Sequence, residues 1–588
     1  MRAESTHGFG CCYEPKHGRD SNALQGLKTA CCRLQPPEAR GNLVLMRTDE
    51  GPEAMTAAKP GGRQPTPLAA FMLGCLVAGA LLGPHQQLRN GAALVAPEHD
   101  NEGRAATASA PGPPLPLPWQ PLLSTAARRR GIAFYGSGRR IERVAARLLA
   151  GLPITAATLG GSVTVGAGSS GQKGGPKPNS YPQLFFRFLN ASFPHRDHVF
   201  LNKGIGATTS GIYAVCADKM LPEGVDLVVV ELTFNEPEDA PFTFPQRRGF
   251  ERLLRKLARM PRSPAVVVLH HYAWHYSRGD GVAAGLFYRP AESQLSTLAQ
   301  YYDLPSPSLR NALYPLMQAD VAPFKVGRVR KAGDKSLVGA KLPVAGPKLV
   351  DEYFYHDGIH PSDTGHKALA ELLAAVVQTA VANVLADGKV PRPGRPPEPK
   401  PLKLPPPMIP GNNDAPTSVC SMQEDFKGVA KGMSGFSYVA ERPNGTTFVE
   451  QKWGYRGESP GSWIELQVST EETPGQRGQA TVYLGHLRSY EGMGAVRVEC
   501  RSGCACAPSR ADGLWSARVS LMQMHTFQTT QHPRCTIRAT ILDLPTSGSG
   551  GSRGRGHKFQ LSAIMVAHQP VVLSSYASQA ADLASVAG

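Results

Sequence analysis

Asp357-Gly358-Ile359-His360 sets a carboxylate three residues before an imidazole. An Asp held that close can fix one ring nitrogen and leave the other free as a general base. Such a base needs a hydroxyl to deprotonate, and Ser162 is the candidate. It follows Leu159-Gly160-Gly161, small residues that permit a tight turn and would expose the hydroxyl beside its own amide. Two more stretches can supply donors to a developing negative charge. In Asn202-Lys203-Gly204-Ile205-Gly206-Ala207-Thr208-Thr209-Ser210 the glycines let backbone N–H groups point into a cavity. Thr233-Phe234-Asn235-Glu236 offers an Asn side-chain amide. Singly, each has a plainer explanation: a turn or phosphate loop at Ser162, an ordinary connection at Gly206, a turn cap at Asn235, and a helix cap at Ser362 or Thr364.

The elements that must position these residues alternate. Ile154–Leu159 is a short β run ending at the Gly-Gly-Ser turn, and Tyr181–Leu189 has helical spacing. Val199–Asn202 is a strand stub. Asp226–Leu232 (DLVVVEL) and Pro264–Leu269 (PAVVVL) are continuously apolar, as strands buried on both faces are. Phe250–Met260 is an amphipathic helix and Gly365–Leu385 a long closing one. This order predicts a parallel sheet covered by helices, with functional groups gathered at the carboxyl ends of its strands.

In order and placement the four stretches resemble the blocks of the SGNH hydrolase superfamily, the GDSL-like acylhydrolases. The resemblance covers about residues 154–385, and Asp-Gly-Ile-His-Pro-Ser-Asp-x-Gly-His is its most specific part. It implies a flavodoxin-like three-layer αβα domain and hydrolysis of acyl esters without metal or cofactor. Ser162 would attack the acyl carbonyl, His360 would act as base and then acid, and Asp357 would orient it. The oxyanion hole would comprise the Ser162 amide, the Asn235 side chain and a Gly-loop amide, Gly206 in preference to Ala207. Two departures stand out. The family's Gly-Asp-Ser is Gly-Gly-Ser, and its Gly-x-Asn-Asp is Thr233-Phe234-Asn235-Glu236, which keeps the Asn and loses the Gly.

The rest of the 588 residues divides by composition, with 62 Gly and 52 Pro warning that much of it is unpacked. Residues 1–66 have no periodicity and read as a disordered tail. Residues 67–84 contain an uncharged apolar run, short against the ~20 residues of a spanning helix, with Lys59 and Arg63 before it. It is expected to be a signal anchor that puts the chain in the secretory pathway (Golgi-like) or at the cell surface, with a late cleaved signal as the alternative. Residues 85–130 read as a Pro/Ala-rich stem, 131–388 as the esterase domain and 389–417 as an extended Pro-rich linker. Residues 418–572 hold short β-prone runs separated by Gly, Ser and Pro, which predicts an all-β sandwich before a disordered tail at 573–588.

Other features have functional and plain readings side by side. His270, His271 and His275 match no metal-ligand spacing and read as polar rim residues. Cys500, Cys504 and Cys506 could bind zinc with His525 or His532, but an oxidising compartment favours disulfides. Asn190 and Asn444 lie in glycosylation sequons. The formal net charge of +17 favours acidic partners, and no nucleic-acid module is present. Residues 325–348 carry seven basic residues and one acidic one just before the Asp357 loop. They would draw an acidic polysaccharide to the site, or else form a solvated insertion. Trp453, Trp463, Tyr483 and Tyr490 could stack on sugars, with core packing the expected use of most. The expected function is carbohydrate O-acetyl ester hydrolysis. The alternatives are a polysaccharide O-acetyltransferase using the same triad and a decayed glycan-binding protein.

Overall fold

The computed structural model describes residues 115–573, except 173–174, 176, 238–240, 277–289, 337–338, 396–401, 441–442, 446, 452, 476, 517–519, 545–555, 570 and 572. The expectations for the tail, the apolar segment and the stem as far as residue 114 lie outside the described residues, as does the tail beyond 573.

The first half contains, in order, α1 (Thr125–Gly131), β1 (Ile132–Phe134), α2 (Arg139–Leu149), β2 (Thr155–Gly160), α3 (Ser162–Val165), α4 (Tyr181–Ser192), β3 (Val199–Asn202), α5 (Ser210–Met220) and β4 (Leu227–Glu231). It continues with α6 (Pro245–Arg259), β5 (Ala265–Val268), α7 (Pro290–Tyr301), β6 (Ser306–Pro307), α8 (Leu309–Gln318) and α9 (Asp363–Ala386). Strands β3-β2-β4-β5 form a parallel sheet in that order. Val268 N–H donates to Pro305 O and His270 N–H to Pro307 O, both at 2.9 Å, which brings β6 alongside β5.

Alternate residues of the apolar strands point to opposite layers, as a pleat requires. Leu227, Val229, Ala265 and Val267 join a core with residues of α2, α4, α8 and α9. Val228, Val230, Val266 and Val268 join another with residues of α5, α6 and α7. Helix α6 begins five residues before the apolar periodicity does, because Pro245 near its start is already set at a helical φ.

The assignment of residues 115–130 to the stem is corrected. Trp119 Nε1 and the Leu122 and Leu123 amides all donate to the buried Glu371 carboxylate of α9, at 2.7–3.0 Å. Leu115, Leu117 and Trp119 pack on the first core. Proline-rich composition hid these apolar anchors.

The second half comprises β7 (Val419–Met422), β8 (Ala430–Ser434), β9 (Phe436–Ala440), β10 (Trp453–Gly457), β11 (Trp463–Val468) and β12 (Gln479–Arg488). The remaining strands are β13 (Ala495–Ser502), β14 (Ser509–Asp512), β15 (Leu521–Thr530), β16 (Cys535–Ile541) and β17 (Phe559–Ala567). They form two antiparallel sheets, β15-β12-β17-β10-β9 with β7 beside β17, and β14-β13-β16-β11-β8. Ile464, Leu466 and Val468 of β11 face Val482, Leu484, Leu561, Ile564 and Val566 in the core between them.

The sandwich is not tethered at a distance. Met422, Tyr483, Ala563, Met565 and Ala567 belong to the same buried cluster as α5 and α6. Cys216 of α5 is disulfide-bonded to Cys420 of β7. The end of the Pro-rich linker is a strap along α6. Asn412 is fully buried, donating to Glu251 Oε2 (2.6 Å) and accepting from Arg252 Nε (2.7 Å), while Asp414 pairs with Arg255 (3.1 Å).

Candidate active site

Strand β2 ends against β4, and the Gly161 N–H donates to Glu231 O at 3.2 Å. Ser162 is the first residue of α3, so its amide is one of the N–H groups that a helix start leaves without an intrahelical partner. Both preceding glycines are demanded by close approach. A Cβ at Gly160 would run into Thr164 Oγ1 and Glu231 O, and one at Gly161 into the side-chain amide of Asn235.

The loop before α9 brings the imidazole to the hydroxyl. His360 Nε2 lies 2.7 Å from Ser162 Oγ, and His360 Nδ1 lies 2.8 Å and 3.0 Å from the two Asp357 oxygens. The carboxylate can only accept, so the proton sits on Nδ1 and Nε2 is left to accept from the serine. Asp357 Oδ1 also accepts from the Ile359 and His360 amides, at 3.0 and 2.7 Å. Burial pushes the Asp357 carboxyl up, but its hydrogen bond and electrostatic attraction to the His360 ring, together with these amides, outweigh that and hold it well below the usual carboxylate range. Asp334 accepts from Gly358 N–H (2.8 Å) and His271 Nε2 meets Ile359 O (3.0 Å), so the loop is tied on two sides.

His366, six residues on, is different. Its Nδ1 accepts from Tyr181 N–H (3.2 Å), so Nε2 carries the proton and donates to Ala167 O (2.9 Å). Burial pushes it down to about 4, which suits a neutral cross-link between the Ser162 turn and α4.

Asn235 and Gly206 reach the same place as Ser162, and all three line one cleft with Asp357 and His360. Ala207 lines it too, with φ +57°. Asn202 Nδ2 donates to Thr164 O (2.7 Å) and its Oδ1 accepts from Gly204 N–H (2.9 Å), which joins the Gly loop to α3. Beneath the turn, Glu231 is fully buried, accepting from Thr164 Oγ1 (3.1 Å), and burial pushes it up to about 7.

The cleft holds about 970 Å³. Its far wall belongs to the β-sandwich: Phe448, Gln451, Trp453, Leu521, Lys558 and Gln560. Lys331 and Asp334 of the basic insertion border it on the near side, beside Tyr276. Only Trp453 of this far wall was singled out from sequence. The others lack a local signal because their role depends on how the sandwich docks. Of the remaining aromatics, Tyr483 is core, Tyr490 packs near Trp515, and Trp463 lies under Arg538 on the other sheet (4.1 Å to the ring centroid).

The histidines after β5 are buried, not rim residues. His270 bonds to Thr233 Oγ1 and Ser306 Oγ, both at 2.8 Å, and burial pushes it down to about 3. They close the sheet's end, where a strand passes into the interior. The C-terminal cysteines pair as Cys500–Cys506 and Cys504–Cys535. Asn190 and Asn444 are both exposed.

No protein-family model and no curated protein matches the chain. Among solved structures, a two-domain esterase active on acetylated mannans is similar at 18% identity and a TM-score of 0.48, covering 74% of this chain and 97% of that one. A structure of such an esterase co-crystallized with mannopentaose gives the same identity and TM-score, with coverages of 75% and 99%. A family 35 carbohydrate binding module from Clostridium thermocellum is similar at 14% identity and a TM-score of 0.17, covering 25% of this chain and 95% of that one. A possible lipase from Chitinophaga pinensis DSM 2588 is similar at 16% identity and a TM-score of 0.26, covering 40% and 100%.

Proposed function

We propose that this chain is a serine acyl-ester hydrolase of the SGNH type, removing O-acyl groups, O-acetyl above all, from a polysaccharide. The observation that carries the reading is the relay Ser162 Oγ–His360 Nε2 at 2.7 Å and His360 Nδ1–Asp357 at 2.8 Å. The SGNH assignment draws on the sheet order β3-β2-β4-β5 with β6 beyond, which is the flavodoxin-like order, and on the placing of Ser162, Gly206 and Asn235 after successive strands.

His360 Nε2 takes the Ser162 proton as Oγ bonds to the acyl carbon. The carbonyl oxygen becomes an oxyanion, held by the Ser162 amide, a Gly206 or Ala207 amide and Asn235 Nδ2. The imidazolium, steadied by ionised Asp357, gives its proton to the sugar oxygen as the ester C–O bond breaks, so that the sugar leaves as a free hydroxyl. Water then enters, loses a proton to Nε2 and bonds to the acyl carbon; the Oγ–acyl bond breaks, the imidazolium returns the proton to Ser162 Oγ, and the acid leaves.

The substrate reading rests on the cleft. It is open, carries hydrogen-bonding Gln451, Asp334 and Gln560 together with Trp453 and Tyr276, and is lined by Lys331 and Lys558. Such a mixture suits a hydroxyl-rich polymer, an acidic one in particular. The disulfides fit an oxidising, secretory setting.

The test is hydrolysis of p-nitrophenyl acetate and of acetylated polysaccharides by the full chain and its Ser162→Ala variant. Activity lost in the variant supports the hydrolase. A chain inert to every ester, yet able to pass an acetyl group to an added sugar, would be a transferase instead.

A further inference from the structure

The loop bearing Gly206 is held from two directions. Its base is fixed by the sheet, with Lys203 N–H donating to Thr158 O and Ile205 N–H to Gly160 O, both at 2.9 Å. The Tyr213 hydroxyl, 2.8 Å from both Gly160 O and Lys203 O, clamps the same base. Its tip meets the β-sandwich. Ala207 packs against the Trp515–Leu521 pair. Arg488 lies over the Trp515 ring, 5.1 Å from its centroid, and fixes it in turn. Lys203 Nζ sits 4.8 Å from the centroid of the Phe448 ring. Ile205 packs on the cluster that also contains Met422, and Phe448 and Met522 pack on it as well.

The Ala207 backbone shows why the tip needs holding. Its φ of +57° is a left-handed conformation that residues with a Cβ avoid. Such a conformation persists where the surroundings over-determine it. Here those surroundings include Trp515 and Leu521, from a different layer of the molecule. A relaxed φ at Ala207 would turn the Gly206–Ala207 peptide relative to the rest of the loop.

We propose that the β-sandwich positions the oxyanion loop. Leu521, Trp515 and Phe448 are positioning residues that keep Gly204–Ala207 in the shape that aims the Gly206 or Ala207 N–H at the acyl oxygen. The sandwich is thus a working part of the catalytic centre as well as a wall for the glycan. The inference rests on the esterase reading above.

A small aryl acetate separates positioning from wall contact, because it is too short to need the glycan wall. In the full chain, Leu521→Ala and Phe448→Ala are expected to lower kcat by about 10- to 100-fold and to leave KM within about twofold. Affinity for a trifluoromethyl ketone, which captures Ser162 as an oxyanion, falls by the same factor. Leu521→Met restores both. Should Leu521→Ala fail to fold, Phe448→Leu and Lys203→Met at a half-buried contact carry the same test. Unchanged kcat in folded variants, or a raised KM alone, overturns the positioning role while Ser162-dependent hydrolysis by the wild type leaves the esterase reading standing. A wild type without Ser162-dependent hydrolysis overturns both.

Discussion

Gly161 and Asn235 touch so closely that no Cβ fits between them. An Asp at position 161 would therefore displace the very amide that is proposed to hold the oxyanion. Gly161→Asp is expected to cut kcat by about 100-fold, the cost of losing one oxyanion donor. Asn235→Ala removes the donor and frees the space, so the double variant should be no worse than Asn235→Ala alone. Steady-state kinetics of the three variants decide it. Additive losses would show that Gly161 acts through something other than Asn235.

Glu231 makes stability depend on pH. Its carboxyl is pushed from about 4.5 up to about 7 by burial, so the folded protein keeps the proton where the unfolded chain has lost it. The sign follows. Its stabilising contribution is complete below pH 4.5 and is lost as pH rises through about 7. The loss has an upper bound of roughly 3 kcal/mol. Glu231→Gln should lack this component. Denaturant unfolding of both proteins from pH 4 to 8 measures the two slopes, and equal slopes would contradict the expected titration.

Much of the first half was legible because its information is local. DLVVVEL and PAVVVL announce strands covered on both faces, and both appear in the parallel sheet as β4 and β5. In the second half the β-prone runs appear as antiparallel strands. What composition could not show is contact at long range. The 204-residue separation between Cys216 and Cys420 carries no spacing signal, and nothing local marks Phe448 or Leu521 as neighbours of Gly206's loop. Leu115–Leu123 and Asn412–Asp414 read as tether because proline dominates there, while their few anchoring groups find buried partners far away in sequence. The apolar run Ala563–Ala567 was a missed signal. A sandwich strand alternates unless its outer face is also covered, and here α5 and α6 cover it.

The Cys216–Cys420 bridge should contribute about 2–4 kcal/mol, since it closes a long loop in the unfolded chain. Replacing both cysteines by Ala is expected to lower the unfolding midpoint and to loosen the sandwich before the α/β layer melts. Thermal unfolding followed by Trp fluorescence and by far-ultraviolet dichroism would then give separated transitions. Coincident and unshifted transitions would mean that the shared apolar core suffices without the bridge.

Lys331 and Lys558 line the same cleft from different halves of the chain. If both attract an acidic polymer, changing them to Gln should raise KM for an acetylated uronate-containing glycan several-fold at low salt. The effect should fade near 0.5 M salt, where the Debye length is only about 4 Å. A neutral acetylated glycan serves as control, and an equal change in KM for both substrates would rule out a charge effect.

The strand that covers α5 and α6 is also the last of the described strands to be translated. Until β17 is made, the apolar faces of α5 and α6 lack the cover of Ala563, Met565 and Ala567. At about 5–20 residues per second, the stretch between Cys216 and Cys420 alone takes roughly 10–40 s to make. During that time the nascent chain is sticky, and Cys216 is an unpaired thiol. The buried cluster of α5 and α6 and the bridge at Cys216 are therefore both completed only by residues made 204 or more positions later.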